Sequence, residues 1–186
     1  MLRHFDIFAS LYDRLIGAPD VRRLTSLLRL QRKGWMLDAG GGTGRVSAYF
    51  TPFVDHIVVC DLSINMLRQA GEKGDLLPVR AHTELLPFRD EVFDRVLVVD
   101  ALHHFCDQRR ALSDLLRVLK RGGRMVIEEP DFDRPVTKVI AAFEECAFLR
   151  SHFLSASSLS AMAALEGYHV RIANKDRFRL WLTIDK

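Results

Sequence analysis

Apolar residues occur along this chain in short runs that alternate with amphipathic segments. The runs Ile57–Cys60 and Val96–Val99 are bounded by polar residues and have the length of strands buried on both faces of a sheet. Between such runs, apolar residues recur every three or four positions, as in a helix with one buried face. Alternating strands and helices predict an α/β fold built on a doubly wound, mostly parallel sheet.

The predicted elements follow one another with helices between most of the strands. Strands are predicted at 35–39, 56–60, 77–81, 96–99 and 125–129, and helices at 5–16, 20–30, 43–50, 63–70, 107–119, 134–150 and 157–167. Asp20, Ser63 and either Ser157 or Ser158 are predicted N-caps, and the glycines of LKRGG at 119–123 predict a cap that ends a helix. Residues 168–186 predict an antiparallel hairpin at the sheet edge, with its turn at 174–176.

The candidate chemistry is concentrated between residues 35 and 61. Asp38 ends the first predicted strand, Gly40, Gly42 and Gly44 follow it, and Asp61 ends the second predicted strand. Glycines allow positive φ and let a ligand approach the backbone closely. An acid after the second strand can accept two hydrogen bonds from a ribose diol. The stretch therefore predicts a cofactor that contains a nucleoside.

Two kinds of cofactor fit a glycine-rich loop of this type. The dinucleotide fingerprint G-x-G-x-x-G requires a third glycine where this chain has Arg45, which weighs against a nicotinamide-dependent reductase. The spacing D-x-G-x-G-x-G resembles motif I of the class I S-adenosylmethionine-dependent methyltransferases. DAGGGTG, VVCDLS, ELLPFRDEVFD and LKRGG match that family in order. ELLPF and LHHF resemble the ubiquinone/menaquinone-biosynthesis-like branch.

This resemblance implies a three-layer, Rossmann-like methyltransferase fold with a seven-stranded sheet of order 3-2-1-4-5-7-6, whose last strand is antiparallel. It implies a single domain over 1–186, with a helical cap at 1–33, a cofactor-binding core at 34–130, and substrate-side helices with the terminal hairpin at 131–186. The implied reaction is methyl transfer from S-adenosylmethionine to a small-molecule or lipid-like acceptor. A non-catalytic protein that binds this cofactor, acting as a sensor or partner subunit, is the alternative.

The resemblance also assigns cofactor contacts along the chain. The residues implied are Asp38, Ala39, Gly40, Gly42 and Gly44 at the methionine half, Asp61 at the ribose, Leu62 and Met66 at adenine, Asp100 near the ammonium group, Tyr12 from the cap, and His82 with Thr83. Met66 and Tyr12 would be explained equally well by core packing. His82 stands where relatives carry an acid that accepts a bond from the adenine amine, and a neutral imidazole does so in one tautomer only.

Asp100, His103 and His104 are the candidates for a general base. A histidine suits proton removal near neutral pH, and the sulfonium methyl is already activated by the cofactor. Adjacent histidines in a helix point about 100° apart, so at most one should face the pocket. Each of these residues is equally compatible with a structural place in a turn.

Composition restricts the partners and the compartment. The chain has 186 residues and a net charge of +3, too small to indicate a nucleic-acid partner. Its cysteines, Cys60, Cys106 and Cys146, lie far apart, which predicts reduced thiols in the cytoplasm and neither a disulfide frame nor a metal site. The apolar runs predict no transmembrane helix, and the first residues do not resemble a signal peptide. The pattern indicates no oligomeric state.

Overall fold

The computed structural model describes residues 19–30, 32–130, 155–175 and 179–186. The helices expected at 5–16 and 134–150, and with them Tyr12, lie outside the described residues. The α-helices are α1 (Val21–Leu28), α2 (Ile64–Gly71), α3 (Gln108–Val118) and α4 (Ala156–Leu165). The strands are β1 (Trp35–Ala39), β2 (His56–Asp61), β3 (Leu76–Arg80), β4 (Phe93–Val99), β5 (Leu119–Pro130), β6 (Val170–Lys175) and β7 (Arg179–Asp185). Short 3₁₀ helices span Ser47–Phe53, Thr83–Leu85 and Leu102–His104.

The strands form one seven-stranded sheet of order β3-β2-β1-β4-β5-β7-β6. β1 pairs in parallel with β2 and β4, β3 joins β2 in parallel, and β5 joins β4 in parallel. β7 runs antiparallel to both β5 and β6. The expected strand order and the antiparallel last strand are therefore confirmed.

Two apolar cores cover the two faces of the sheet. Successive side chains of a strand point to opposite faces, so Met36 packs with α1 and α2 in one core and Leu37 packs with α3 and α4 in the other. Arg95 and Arg124 hold the C-terminus of α1 by donating to the carbonyls of Leu28 and Leu27. The result is the expected three-layer arrangement of helices, sheet and helices.

Local signals were right at some helix ends and wrong at others. Asp20 and Ser63 cap α1 and α2 as predicted, each accepting from a backbone N–H. Ser155, rather than Ser157 or Ser158, caps α4. Its hydroxyl accepts from Ser158 N, so the cap lies one turn earlier than predicted.

Two predicted helical features are replaced by other structure. The helix expected at 43–50 is a 3₁₀ helix at Ser47–Phe53, because Gly44 has φ +69° and Pro52, which lies inside the segment, has no N–H to donate. The LKRGG segment does not cap a helix. Leu119 is already extended, α3 ends at Val118, and β5 begins at Leu119 with a register shift opposite Phe93 and Arg95.

Among the described residues, no helix is both long enough and apolar enough to cross a membrane.

Candidate functional site

A cavity of about 270 Å³ opens at the carboxyl edge of the sheet, where β1, β2 and β4 end. In open α/β sheets this edge, at the point where the strand order reverses, is where ligands bind. The described residues that line the cavity are Gly40, Gly42, Asp61, Leu62, Ser63, Met66, Ala81, His82, Thr83, Glu84, Asp100, Ala101, His104, Phe105 and Cys106.

The loop after β1 is fixed by backbone bonds. The amides of Gly40 and Gly41 both donate to the carbonyl of Cys60, at 2.8 and 3.2 Å. Gly40 has φ +71°, and a Cβ there would lie 2.5 Å from the Cβ of Ala101. Gly42 has φ +54°, and its Cβ would meet nothing closer than Met66 Sδ at 3.9 Å. Gly40 is thus required by crowding, whereas Gly42 faces the cavity.

Asp61 links that loop to the start of α2. One oxygen of its carboxylate accepts from Gly42 N at 3.0 Å, and the other accepts from Ser63 N at 2.8 Å. The same side chain lines the cavity. One acid therefore fixes the backbone on two sides of the cavity and presents its remaining lone pairs to any ligand there.

Asp38 lies beneath the loop and not in the cavity lining. Its side chain is 2% exposed, and the hydroxyl of Ser47 donates to it. Burial raises the pKa of Asp38 to about 6; the Ser47 bond and Arg45 oppose that rise, and Asp61 adds to it. A Cβ on Gly41 would lie 2.6 Å from this carboxyl group, so Asp38 supports the loop from below.

Ala39 and Gly44 are also outside the lining. Ala39 is fully buried in the core. Gly44 has φ +69°, and a Cβ there would lie 2.5 Å from Leu76 Cδ1, so it allows close packing between the loop and β3. Of the glycines assigned to the methionine half, the structure brings Gly40 and Gly42 to the cavity.

The turn after β4 brings Asp100 to the other side of the cavity. Asp100 has φ +50°, unusual for a residue other than glycine, and its N–H donates to the carbonyl of Glu128 at 2.9 Å. Its carboxylate lies 3.6 Å from Arg45 Nη2 and 3.5 Å from Arg179 Nη1. Burial raises the pKa of Asp100 and Glu129 adds to that, while Arg179 and Arg45 oppose it.

Two consecutive acids at the end of β5, Glu128 and Glu129, support this turn and were not singled out from the sequence. Glu128 is fully buried, pairs with Arg179, and accepts from the indole N–H of Trp181 at 2.9 Å. Glu129 accepts from Ala101 N and Leu102 N on the opposite face. A pair of acids directly after the apolar run Met125–Ile127 was the available signal, because buried carboxylates need partners.

The two adjacent histidines face different cavities. His104 lines the main cavity, and burial, together with the charge of His103, lowers its pKa to about 3. His103 is 5% exposed, lines a separate small cavity beside Leu159, and lies with Nδ1 2.5 Å from Glu129 Oε2. His103 is therefore not brought to the same space as His104 and Asp100.

The remaining predicted residues lie at the end of the cavity formed by β2 and β3. Leu62, Met66 and Thr83 are in the lining, and His82 joins them with 64% of its side chain exposed. Glu84 lies 3.8 Å from His82 Nδ1 and accepts from Cys106 N. Sequence reasoning missed Ser63, Ala81, Glu84, Ala101, Phe105 and Cys106 as lining residues. Their position in the sequence was the available signal, since each lies within two residues of a residue that was selected.

Residues 37–127 match the model of the family described as "Methyltransferase domain". The ubiquinone/menaquinone biosynthesis C-methyltransferase UbiE of Vibrio vulnificus is 37% identical over 121 residues, covering 58% of this chain and 46% of the relative. The enzyme of the same name from Enterobacter is 32% identical over 130 residues, covering 64% of this chain and 51% of the relative. The chain therefore spans about half the length of the curated relatives it matches.

Solved structures share the whole fold. An S-adenosylmethionine-dependent methyltransferase from Thermotoga maritima superposes with a TM-score of 0.76 at 22% identity, covering 100% of this chain and 99% of that one. The YcgJ protein of Bacillus subtilis gives a TM-score of 0.74 at 24% identity, covering 83% and 70%. The sheet order, the glycine loop and the matched family model lead to one conclusion: residues 37–127 form a methyltransferase domain of the class I, S-adenosylmethionine-dependent type, which resembles the ubiquinone/menaquinone-biosynthesis branch.

Proposed function

We propose that this protein transfers a methyl group from S-adenosylmethionine to a small-molecule acceptor. The observation that carries the proposal is the Asp61 bridge, in which one carboxylate facing the cavity holds the amides of Gly42 and Ser63. A ribose diol in the cavity would meet the lone pairs that these two bonds leave on Asp61. Gly42 fits such a ligand, since a Cβ there would project into the cavity beside Met66 and Asp61.

The other lining residues would divide the cofactor between two ends of the cavity. Leu62 and Met66 would pack on adenine, while Asp100 and the carbonyl of Gly40 would accept from the ammonium group. When bound, S-adenosylmethionine supplies a sulfonium methyl group that is already activated. The residues of this chain would then hold the acceptor in line with that methyl and exclude water.

For the acceptor we propose an uncharged, hydroxylated aromatic ring of the quinol type. The name of the curated relatives supports this class. On the side of the cavity formed by the turn after β4, Ala101 and Phe105 offer apolar surface, and the lowered pKa of His104 keeps its imidazole neutral. The carboxylates of Asp61, Glu84 and Asp100 in the described lining disfavour an anionic acceptor.

We further propose the division of a single domain into a cap at 1–33, a cofactor core at 34–130 and a substrate side at 131–186. The start of α1 supports the cap, because Arg23 lies 4.2 Å over the ring of Trp181, which in turn bonds Glu128 beside the site. The chain therefore enters α1 near the carboxyl edge. Cys60 and Cys106 are free thiols, which supports a cytoplasmic location as part of this proposal.

Calorimetry tests the cofactor and a transfer assay tests the reaction. S-adenosylhomocysteine should bind in the micromolar range, about −8 kcal/mol, and NAD should not bind. Labelled S-adenosylmethionine should then transfer its methyl to members of a panel of hydroquinones, phenols and amines. Binding of NAD without binding of S-adenosylhomocysteine would overturn the proposal.

A second candidate is cofactor binding without catalysis, and the cavity histidine favours it. With its pKa lowered to about 3, His104 is a weak base at neutral pH. Asp100 is already engaged by Arg45 and Arg179. Tight binding of S-adenosylhomocysteine with no methyl transfer to any acceptor of the panel would support this second candidate.

A further inference from the structure

The turn between β4 and α3 contributes Asp100, Ala101, His104 and Phe105 to the cavity but is held from outside the cavity. One carboxylate supplies much of that support. Glu129 Oε1 accepts from Ala101 N at 3.0 Å and from Leu102 N at 2.7 Å. Its other oxygen, Oε2, lies 2.5 Å from His103 Nδ1.

The carboxylate of Glu129 is buried, and its burial restricts the conformation of the turn. It is 7% exposed, and a carboxylate removed from water is strongly unfavourable unless hydrogen bonds compensate it. These three partners all belong to the segment 101–103. Any other arrangement of this segment would leave a buried charge without those partners, so the carboxylate selects one path for the turn.

His103 completes the arrangement from the side away from the cofactor cavity. Its ring is 5% exposed and lines the small cavity that Gln108, Ser155 and Leu159 also line. His104, the next residue, lines the main cavity, and the two ring centroids are 4.0 Å apart. Fixing His103 therefore also fixes the direction in which His104 points.

The turn needs such side-chain support because its own sequence lacks glycine. Asp100 adopts φ +50°, a conformation that is unfavourable for most residues other than glycine. Such a conformation persists only where the surrounding structure enforces it. The amide of Asp100 is held by the carbonyl of Glu128, and the next two amides are held by Glu129. Neighbouring residues of β5 thus hold consecutive amides of the turn.

We propose that Glu129 and His103 are a positioning pair, which holds the 100–105 turn so that Asp100 and His104 face the cofactor and acceptor, and that His103 is not a general base. This inference rests on the proposed function for what the turn contacts. It adds a residue, Glu129, that neither the sequence motif nor the lining of the main cavity identifies, and it removes His103 from the candidates for proton transfer.

Substitutions of His103 separate positioning from proton transfer. His103→Ala should weaken binding of S-adenosylhomocysteine by about tenfold and reduce methyl transfer, since it leaves one side of Glu129 without a donor. His103→Asn should restore both to within about threefold, because the asparagine amide can donate to Glu129 where Nδ1 does. A general base would not be rescued by asparagine, which cannot take up a proton.

Substitutions of Glu129 test the other partner. Glu129→Gln keeps an oxygen that accepts from Ala101 N and Leu102 N, so its loss of affinity should be smaller than that of Glu129→Ala. Asp94→Ala is the matched control. Asp94 also accepts from a backbone amide, that of Trp35, but at the amino edge of the sheet. It should lower the melting temperature without changing the affinity of the folded protein.

Hydrogen exchange measures how well the amides of the turn are protected, and it needs no cofactor. It therefore tests the positioning pair independently of the proposed function. In the ligand-free protein, Glu129→Ala should speed exchange of the amides of Ala101 and Leu102 about tenfold or more relative to those of β2, and Glu129→Gln, which keeps an acceptor oxygen, should speed it less. Unchanged exchange there would overturn the positioning pair. Equal inactivity of His103→Asn and His103→Ala, with S-adenosylhomocysteine affinity intact in both, would overturn it in favour of His103 as the base. Failure of the wild-type protein to bind S-adenosylhomocysteine would count against the proposed function alone.

Discussion

Two loops meet over the cavity, and they are built by different means. The loop after β1 carries glycines, and the amides of Gly40 and Gly41 are held by a backbone carbonyl, that of Cys60 in β2. The turn after β4 has no glycine, and the amides of Ala101 and Leu102 are held by one carboxylate, that of Glu129, which lies 28 and 27 residues later in the chain. Both loops contribute residues to the same lining.

In the loop after β1, the required property belongs to the glycine at that position. In the turn after β4, it depends on residues that are distant in the sequence. The glycine loop needs positive φ and close approach, which glycine provides at the position itself. The turn after β4 needs acceptors for its amides, and these arrive through the pairing of β4 with β5. A substitution in the first loop should therefore act by steric conflict, and one in the second by loss of polar partners.

The largest effect is expected where the two loops touch, at Gly40. Gly40→Ala would place a Cβ 2.5 Å from Ala101 Cβ at φ +71°. Overpacking and left-handed strain together should lower the free energy of unfolding by about 3 kcal/mol. Affinity for S-adenosylhomocysteine should fall on the order of 100-fold, since both loops are displaced. Calorimetry and thermal melting measure the two quantities.

Gly74→Ala is the matched control for that experiment. Gly74 has φ +89°, and nothing lies within 4 Å of where its Cβ would be. It therefore carries the strain of positive φ without the crowding, and should lower stability by about 1 kcal/mol with unchanged affinity. Equal effects of Gly40→Ala and Gly74→Ala would show that the contact between the loops is unimportant.

The second-largest effect is expected for Asp61, which ends β2 and supports the first loop through polar bonds. Asp61→Ala removes the acceptor for Gly42 N and Ser63 N and the proposed acceptor for the ribose. Affinity should fall at least about tenfold, and the ligand-free protein should also lose about 1 to 2 kcal/mol of stability. Asp61→Asn, which can accept one of the two bonds, should lie between. Unchanged affinity would mean that the ribose lies elsewhere.

The same contrast explains what the sequence predicted and what it did not. The glycine loop and Asp61 were predicted from local patterns between residues 35 and 61, and the strand order was predicted from the resemblance to the methyltransferase family. Glu128 and Glu129 were not, because their partners, Arg179 and the amides after Asp100, are brought to them by sheet pairing alone. Asp38 was assigned to the cofactor from its motif, yet it lies beneath the loop, bonded to Ser47.

The prediction of secondary structure was wrong in two segments for a related reason. The helix expected after the glycine loop depended on apolar spacing in 43–50, but Gly44 packs against Leu76 in a conformation that a helix does not allow. The LKRGG segment was assigned to a helix end because of its glycines, whereas pairing of Leu119 with Phe93 makes it the start of β5. In both places tertiary contacts override the local preference.

A smaller effect, visible in the pH dependence of stability, is expected from the turn after β4. Burial and the charge of His103 lower the pKa of His104 in the folded protein to about 3, from the ordinary value of 6.5. Below pH 6.5, His104 binds a proton in the unfolded chain but stays neutral in the folded protein. The free energy of unfolding therefore decreases as pH falls from 6.5 towards 3. Asp38, with its pKa raised to about 6, acts in the opposite sense and loses stability as pH rises through that value.

The variant His104→Gln separates the contribution of His104 to the pH dependence of stability from that of Asp38. Between pH 6.5 and 5 the wild-type protein should lose about 1 kcal/mol more than this variant, as measured by urea denaturation of the ligand-free protein. Asp38→Asn should change the curve in the opposite direction over the same range. Parallel curves for wild type and His104→Gln would mean that His104 is hydrated and free to take up a proton.

The smallest effect is expected at His82, a predicted contact that belongs to neither loop. Its side chain is 64% exposed, and its Nδ1 lies 3.8 Å from Oε2 of Glu84. A hydrogen bond from the adenine amine to such a group should contribute at most about 1 kcal/mol, so His82→Ala should weaken S-adenosylhomocysteine binding about fivefold or less. S-inosylhomocysteine, in which a carbonyl replaces that amine, makes the experiment specific. If His82 accepts from the amine, the variant should lose affinity for S-adenosylhomocysteine and not for the inosine analogue. Equal losses for both ligands would mean that the imidazole contributes surface and no hydrogen bond, and a loss above about tenfold for S-adenosylhomocysteine alone would make His82 the principal adenine contact despite its exposure.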